Sequence, residues 1–231
     1  MTQHGKSIFV VLPAYREAGV IGGIVSEIRK RYPDFSIVVV DDCSYDTTAQ
    51  EAANAGAHVL KHCINLGQGA AVKTGIAFAL QKGANIIVHM DSDGQHVVSE
   101  IDLLLEPLFT GKADVVLGSR FLSDRSNVPS LRRLVLKAGI LFTWFFSGLR
   151  LTDTHNGFRA STREAAQKIS MNENRMAHAS EILHEIVRHN LSYVEVPVTV
   201  LYTKYSLLHG QKSSNAFHIV TRLLWRKLFL E

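Results

Sequence analysis

The chain has 231 residues, 46% of them hydrophobic and 20% charged, enough for one large domain with a substantial core. Its two cysteines, Cys43 and Cys63, sit in no CxxC or Cys/His spacing, which excludes a disulfide framework or zinc module and fits free thiols in a reducing cytosol. The formal net charge of +4 is local, because five of the 25 basic residues follow Val200 against one acid, Glu231; with no recognised binding module, this sets nucleic acid aside.

From the N-terminus, Met1 to Lys6 is polar and Ser7 to Leu12 is too short for a secretory signal. The latter reads instead as a first strand. Val20, Ile21, Ile24, Val25 and Ile28 then form an apolar helical stripe. Ser36 to Val40 is a second strand, ending in Asp41-Asp42, and Asp46 can cap a helix running to about Asn54. A short strand over His58 to Lys61 precedes a small-residue helix over Gln68 to Gln81. Ala84 to Met90 is the central strand, Val98 to Phe109 a helix, and Ala113 to Gly118 another strand. The pattern loosens after Arg120, and Tyr193 to Val200 is the last strand.

Strands alternating with helices predict an α/β fold, a mostly parallel sheet with helices on both faces, as one domain over residues 1–200. Residues 201–231 form a separate basic tail. There Phe217, Val220, Leu223, Leu224 and Leu228 repeat at helical spacing among basic residues, as in a helix lying on an anionic membrane surface or packed on a partner. Ala138 to Leu149 is the longest apolar run, too short to span a bilayer, which takes about 20 residues. It reads equally as a core helix or an interfacial one, and the helix from about Leu131 can serve a homodimer or a bilayer. Membrane work then rests on surface contact or on a separate membrane subunit.

Ligands of such sheets bind beyond the carboxyl ends of the strands, an edge shared here by Pro13 to Glu17, Asp41-Asp42 and Asp91 to Asp93. Asp91-Ser92-Asp93 is the most telling of these. Two carboxylates one residue apart can gather a hard cation such as Mg²⁺, which takes carboxylate and phosphate oxygens together and suits a nucleoside diphosphate. Gly67 and Gly69 let the backbone turn tightly and approach a ligand. Their spacing is neither a Walker phosphate loop nor a dinucleotide fingerprint.

Six blocks in order carry a family resemblance: Pro13-Ala14-Tyr15-Arg16-Glu17, Asp41-Asp42-Cys43-Ser44-Tyr45-Asp46-Thr47-Thr48, Asn65-Leu66-Gly67-Gln68-Gly69-Ala70-Ala71, Asp91-Ser92-Asp93-Gly94-Gln95-His96, Gly118-Ser119-Arg120, and Asp153 through Gly157-Phe158-Arg159. From Ser7 to about Val200 the chain resembles family-two glycosyltransferases of the GT-A fold, especially polyprenyl-phosphate sugar transferases of the dolichyl-phosphate mannosyltransferase kind. Arg16 stands where that pattern has Asn, and Cys43 where it has Gly. The resemblance implies a metal-dependent, inverting transfer from a UDP- or GDP-linked sugar, with Mg²⁺ or Mn²⁺ held by Asp91, Asp93 and Gln95. It implies nucleotide-sugar contacts from Pro13, Tyr15, Glu17, Asp41, Asp42, Gly69, Asp91 and Ser92, and catalytic roles for Asp93, Asp153 and Arg159. His96 is assigned to structure.

The acceptor implied is a polyprenyl phosphate at the inner, cytoplasmic membrane face, its phosphate clamped by Arg120, Arg159, Arg132 or Arg133, since guanidinium forks match phosphate oxygens. Past the last strand the pattern's arginine is Leu207, which passes a basic role to Lys204 or Lys212 and brings in a rival: a sugar hydroxyl of a lipid-linked glycan, as in surface polysaccharide synthesis. A phosphate oxygen is already anionic, whereas a hydroxyl needs a base. Asp153 is the first candidate for that base and Glu181 the second. A non-catalytic nucleotide-sugar-binding subunit is the third reading.

Overall fold

Strands made almost wholly of Val, Ile, Leu and Phe need both faces covered, and the topology supplies this. In a computed structural model, which describes residues 5–129, 132–134, 136–137, 139–140, 144 and 149–202, seven strands form one sheet in the order β3-β2-β1-β4-β6-β5-β7. They are β1 (Ile8–Ala14), β2 (Ser36–Asp41), β3 (His58–Lys61), β4 (Ile86–His89), β5 (Val115–Ser119), β6 (Arg159–Thr162) and β7 (Tyr193–Pro197). The helices are α1 (Ile21–Arg31), α2 (Thr48–Asn54), α3 (Gln68–Gln81), α4 (Ile101–Phe109), α5 (Arg163–Lys168) and α6 (His178–Arg188).

Pairing is parallel for β1 with β2 and β4, for β2 with β3, and for β5 with β7. Only β6 runs antiparallel, wedged between β4 and β5. Alternate residues serve opposite faces. On one face Val10, Leu12, Ile37, Val39 and Val88 pack against Ile21, Val25 and Ile28 of α1 and Leu104 and Leu105 of α4. On the other, Phe9, Val11, Val38, Val40 and Ile87 meet Ala71 and Ala79 of α3, while Val115 and Leu117 meet Ile182, Leu183 and Ile186 of α6.

The six predicted strands all form, with ends shifted by a few residues, and β6, α5 and α6 are additions. Asp46 accepts the Thr48 N–H at 3.1 Å, so it steadies the first turn of α2 as expected. The parallel strands present their carboxyl ends at one edge, and antiparallel β6 brings its amino end there, so residues 153–158 join the same edge. Past β7, Val200 bridges to His96 and Tyr202 is clipped by Asn127, which donates to its carbonyl at 3.2 Å and accepts its N–H at 2.8 Å. No helix among the described residues is long and apolar enough to cross a membrane. Lys204, the basic tail and most of the apolar run over 138–149 lie outside the described residues.

Candidate active site

A cavity of about 470 Å³ opens at this edge. Of the residues singled out above, Pro13, Tyr15, Glu17, Asp42, Asp91, Ser92, Asp93, Gln95, Arg120 and Arg132 line it. Gln68, His155 and Gly157 also line it; they lie in the motif blocks but were given no role, whereas Arg175 and Met176 line it without having been flagged at all. Met90 and Ser92 are buried, which anchors the turn after β4; the Ser92 hydroxyl donates to the Pro13 carbonyl at 2.6 Å and ties the tips of β4 and β1 together.

The two half-buried carboxylates differ in their surroundings. Asp91 accepts from Gln68 Nε2 at 2.6 Å, and His96 Nε2 lies 3.6 Å from its other oxygen. Burial raises the Asp91 carboxyl, but donation and charge from His96, helped by His89 and His178, outweigh this and hold it below the usual range. Asp93 accepts one backbone N–H, from Gln95 at 3.0 Å. Burial first, and then the charge of Asp91, push its carboxyl up against that donation. A carboxylate whose ionisation is made costly by burial and by a second carboxylate two positions away in the chain is a place for a cation. Among the described residues no cluster of three or more His, Cys, Asp or Glu could hold a metal, so the fit is to a cation completed by phosphate oxygens and water. Asp91, Asp93 and the amide of Gln95 suit that donor set.

Several expected ligands are already engaged within the protein. Asp41 is fully buried, takes the Ser44 N–H at 3.0 Å, and has Lys61 Nζ 3.6 Å from its second oxygen. It does not line the cavity. Asp42 does, yet its carboxylate already accepts the N–H groups of Leu66 at 2.9 Å and Gly67 at 2.6 Å, with His62 Nδ1 at 2.7 Å. It shapes the loop before α3. Gly69 is also off the cavity: a Cβ there would stand 2.9 Å from His178 Cβ and 3.0 Å from the Arg175 carbonyl, so the close approach it permits is to the chain before α6.

Asp153 and Arg159 are likewise engaged internally. Asp153 is buried and accepts from Arg120 twice, from Nε at 2.5 Å and from the backbone N–H at 3.1 Å. It is a counter-ion that aims Arg120, and it does not line the cavity. Arg159 is buried and donates to the carbonyls of Asn156, Ala179 and Thr154 at 2.9, 3.2 and 3.3 Å. Burial lowers its pKa to about 10, with Asp153 and Asp91 opposing, so it remains a cation that stitches the 154–156 turn to α6. Arg133 is exposed and off the cavity, leaving Arg120 and Arg132 as the described cations of the expected clamp.

The comparisons with known proteins agree with this geometry. The sequence profile of glycosyl transferase family 2 matches residues 9–170. The chain belongs to that family. A UDP-N-acetylglucosamine–dolichyl-phosphate N-acetylglucosaminyltransferase of Methanococcus voltae is 31% identical over 245 residues, spanning 96% of this chain and 97% of the relative. A polyprenol monophosphomannose synthase of Mycolicibacterium smegmatis is 31% identical over 201 residues, spanning 82% and 76%. In fold, the chain matches glucosyl-3-phosphoglycerate synthase from Mycobacterium tuberculosis in complex with Mn²⁺, uridine diphosphate and phosphoglyceric acid, with a TM-score of 0.72 at 19% identity over 95% of this chain and 78% of that one. The fold is GT-A.

Two departures from the family-two pattern have a common backbone cause. Arg16 and Cys43, which replace Asn and Gly, both sit at positive φ, 59° and 65°. The left-handed region costs an ordinary residue about 1–2 kcal/mol and favours Asn and Gly. Cys43→Gly is therefore expected to leave the fold intact and to raise stability by up to about 1 kcal/mol, less the added entropy of the unfolded chain. Urea unfolding of the two proteins checks this; a lower midpoint would contradict it.

Burial also sets the pH dependence of this family-two domain. It pushes His89 from 6.5 down to about 3, with the charges of Arg159 and His178 adding and Asp91 opposing. Burial lowers His178 as well, against the Arg175 carbonyl. The unfolded chain takes up these protons near pH 6.5 and the fold does not, so their contribution is complete above about pH 6.5. The His89 part is lost as pH falls toward 3, by up to about 1.4 kcal/mol per pH unit, and the His178 part is lost in the same direction. Denaturant midpoints between pH 7.5 and 4 are expected to fall steeply, and His89→Gln to flatten that slope. Parallel slopes in the two proteins would contradict it.

Proposed function

We propose that this glycosyltransferase moves a sugar from a nucleoside-diphosphate sugar, UDP- or GDP-linked, to the phosphate of a polyprenyl lipid at the cytoplasmic membrane surface, with inversion at the sugar carbon. The observation that carries the reading is the set of charges lining the cavity. The same cavity is lined by the carboxylates of Asp91 and Asp93, which suit a cation with a diphosphate, and by Arg120 and Arg132, which suit a second, anionic ligand.

A divalent cation, Mg²⁺ or Mn²⁺, held by Asp91, Asp93 and Gln95 supplies charge neutralisation for the departing diphosphate. Pro13, Tyr15, Glu17 and Ser92 seat the nucleotide sugar. The bond from the sugar carbon to the diphosphate oxygen breaks as a bond forms from the acceptor oxygen on the opposite face. A phosphate oxygen needs no deprotonation. Neither carboxylate expected as a base lines the cavity: Asp153 is engaged by Arg120, and Glu181 accepts the N–H groups of Asn172 and Glu173 at 2.9 and 2.8 Å. This favours the lipid phosphate over a glycan hydroxyl, as do the relatives, whose names give dolichyl-phosphate and polyprenol acceptors. The apolar run over 138–149 and the basic tail are the segments we assign to the membrane surface.

Transfer of labelled sugar from a panel of UDP- and GDP-hexoses to undecaprenyl phosphate, with Mg²⁺ or Mn²⁺, tests the reading. One donor is expected to give an organic-extractable product that a chelator abolishes. No product from any donor, with the protein shown to bind nucleotide, would move the acceptor to a glycan.

A further inference from the structure

Tyr202 was no part of the expected site, yet both described cations of the clamp lean on it. Arg120 Nη1 donates to its phenolic oxygen at 2.7 Å, and the guanidinium of Arg132 sits over its ring, 5.1 Å from the centroid. The ring is buried with Val128 and Val200, and Asn127 clips the Tyr202 backbone from both sides. The phenol itself does not line the cavity, whereas both arginines do.

The charges make this arrangement purposeful. Arg120 is balanced by Asp153, while Arg132 rests on an aromatic face. Two guanidinium groups near one another repel, and while Arg120 is buried and also held by Asp153 and the His155 carbonyl, Arg132 needs a support beside it. An aromatic face attracts one cation electrostatically, and a phenolic oxygen accepts a hydrogen bond from the other. A single tyrosine therefore seats both without cancelling the positive charge of Arg132. A carboxylate in its place would hold both arginines and erase the field an anion needs.

We propose that Tyr202 is a positioning residue that sets Arg120 and Arg132 as a pair for an anionic oxygen, which under the function proposed above is that of the acceptor phosphate. Tyr202→Phe keeps the ring face for Arg132 and removes the oxygen that Arg120 uses. Tyr202→Leu removes both. In transfer to undecaprenyl phosphate, Tyr202→Phe is expected to raise the acceptor KM about 3- to 10-fold, with the donor KM unchanged, and Tyr202→Leu to raise it further.

Titration of inorganic pyrophosphate in chelator, with no divalent cation to draw it to the carboxylates, reads the arginine pair alone. Wild type is expected to bind it, and Tyr202→Phe to bind it more weakly by a similar factor at an unchanged melting temperature. If wild type uses no polyprenyl phosphate, the acceptor assignment falls and this titration still decides the role of Tyr202. Pyrophosphate bound equally by wild type and both variants, or not bound by wild type, would overturn the proposal. Variants that only melt lower, with both KM values unchanged, would make Tyr202 a core residue and overturn it too.

Discussion

Asp93→Asn is expected to abolish sugar transfer, by about 10³-fold or more, while making the metal-free protein slightly more stable. The two signs have one cause. Burial and the neighbouring Asp91 charge push the Asp93 carboxyl up, so ionised Asp93 carries a standing cost in the fold. Asparagine removes that charge and keeps an oxygen for the Gln95 N–H. Removing that cost is expected to raise the melting temperature of the metal-free protein. The same charge is what a cation and a departing diphosphate require, so its loss falls on the reaction. Thermal melts in chelator and initial rates with cation check the pair. A variant that melts well below wild type, or keeps a tenth of the rate, would contradict the assignment of Asp93.

Gly157→Ala is expected to fail in a different way, losing both stability and activity. A Cβ at Gly157 would overlap both carboxylate oxygens of Asp91. The carboxylate has little room to retreat, because Gln68 holds one oxygen at 2.6 Å and His96 stands 3.6 Å from the other. Overpacking of this kind costs about 1–3 kcal/mol, and a displacement of about 1 Å at a reacting site costs about 10²-fold in rate. Gly23→Ala is the matched control. Gly23 lies within α1 and its added Cβ meets nothing within 4 Å, so the helix is expected to gain about 0.5–1 kcal/mol at full activity. Equal behaviour of the two alanine variants in urea unfolding and in transfer would refute the packing of Gly157 on Asp91.

The central strands β1, β2, β4 and β5 were legible because each is an apolar run that a covered sheet satisfies, and the edge strands β3 and β7 by their β-type runs. The strand β6 was not. Arg159-Ala160-Ser161-Thr162 has no apolar run, and its place between β4 and β5 depends on pairing with distant residues. The site was legible as residue types and illegible as directions. Asp41 and Asp42 read alike in sequence, but successive side chains leave a strand on opposite sides, so one is sealed in and the other reaches the cavity edge. Asp153 and Arg159 announced chemistry by their charge; both are turned inward, one to aim Arg120 and the other to hold three carbonyls. Gln68 lay in a motif block without a role of its own, and Tyr202 gave no signal, since each acts through a partner far along the chain.

Under the proposed function the acceptor atom is a lipid phosphate oxygen. The most direct test of that assignment offers undecaprenyl phosphate and a lipid-linked glycan together to the wild-type protein, with the working nucleotide sugar and Mn²⁺, and weighs both lipids by mass spectrometry. A gain of one sugar on undecaprenyl phosphate, with the glycan unchanged, is the predicted result. Sugar added to the glycan while undecaprenyl phosphate keeps its mass would contradict it.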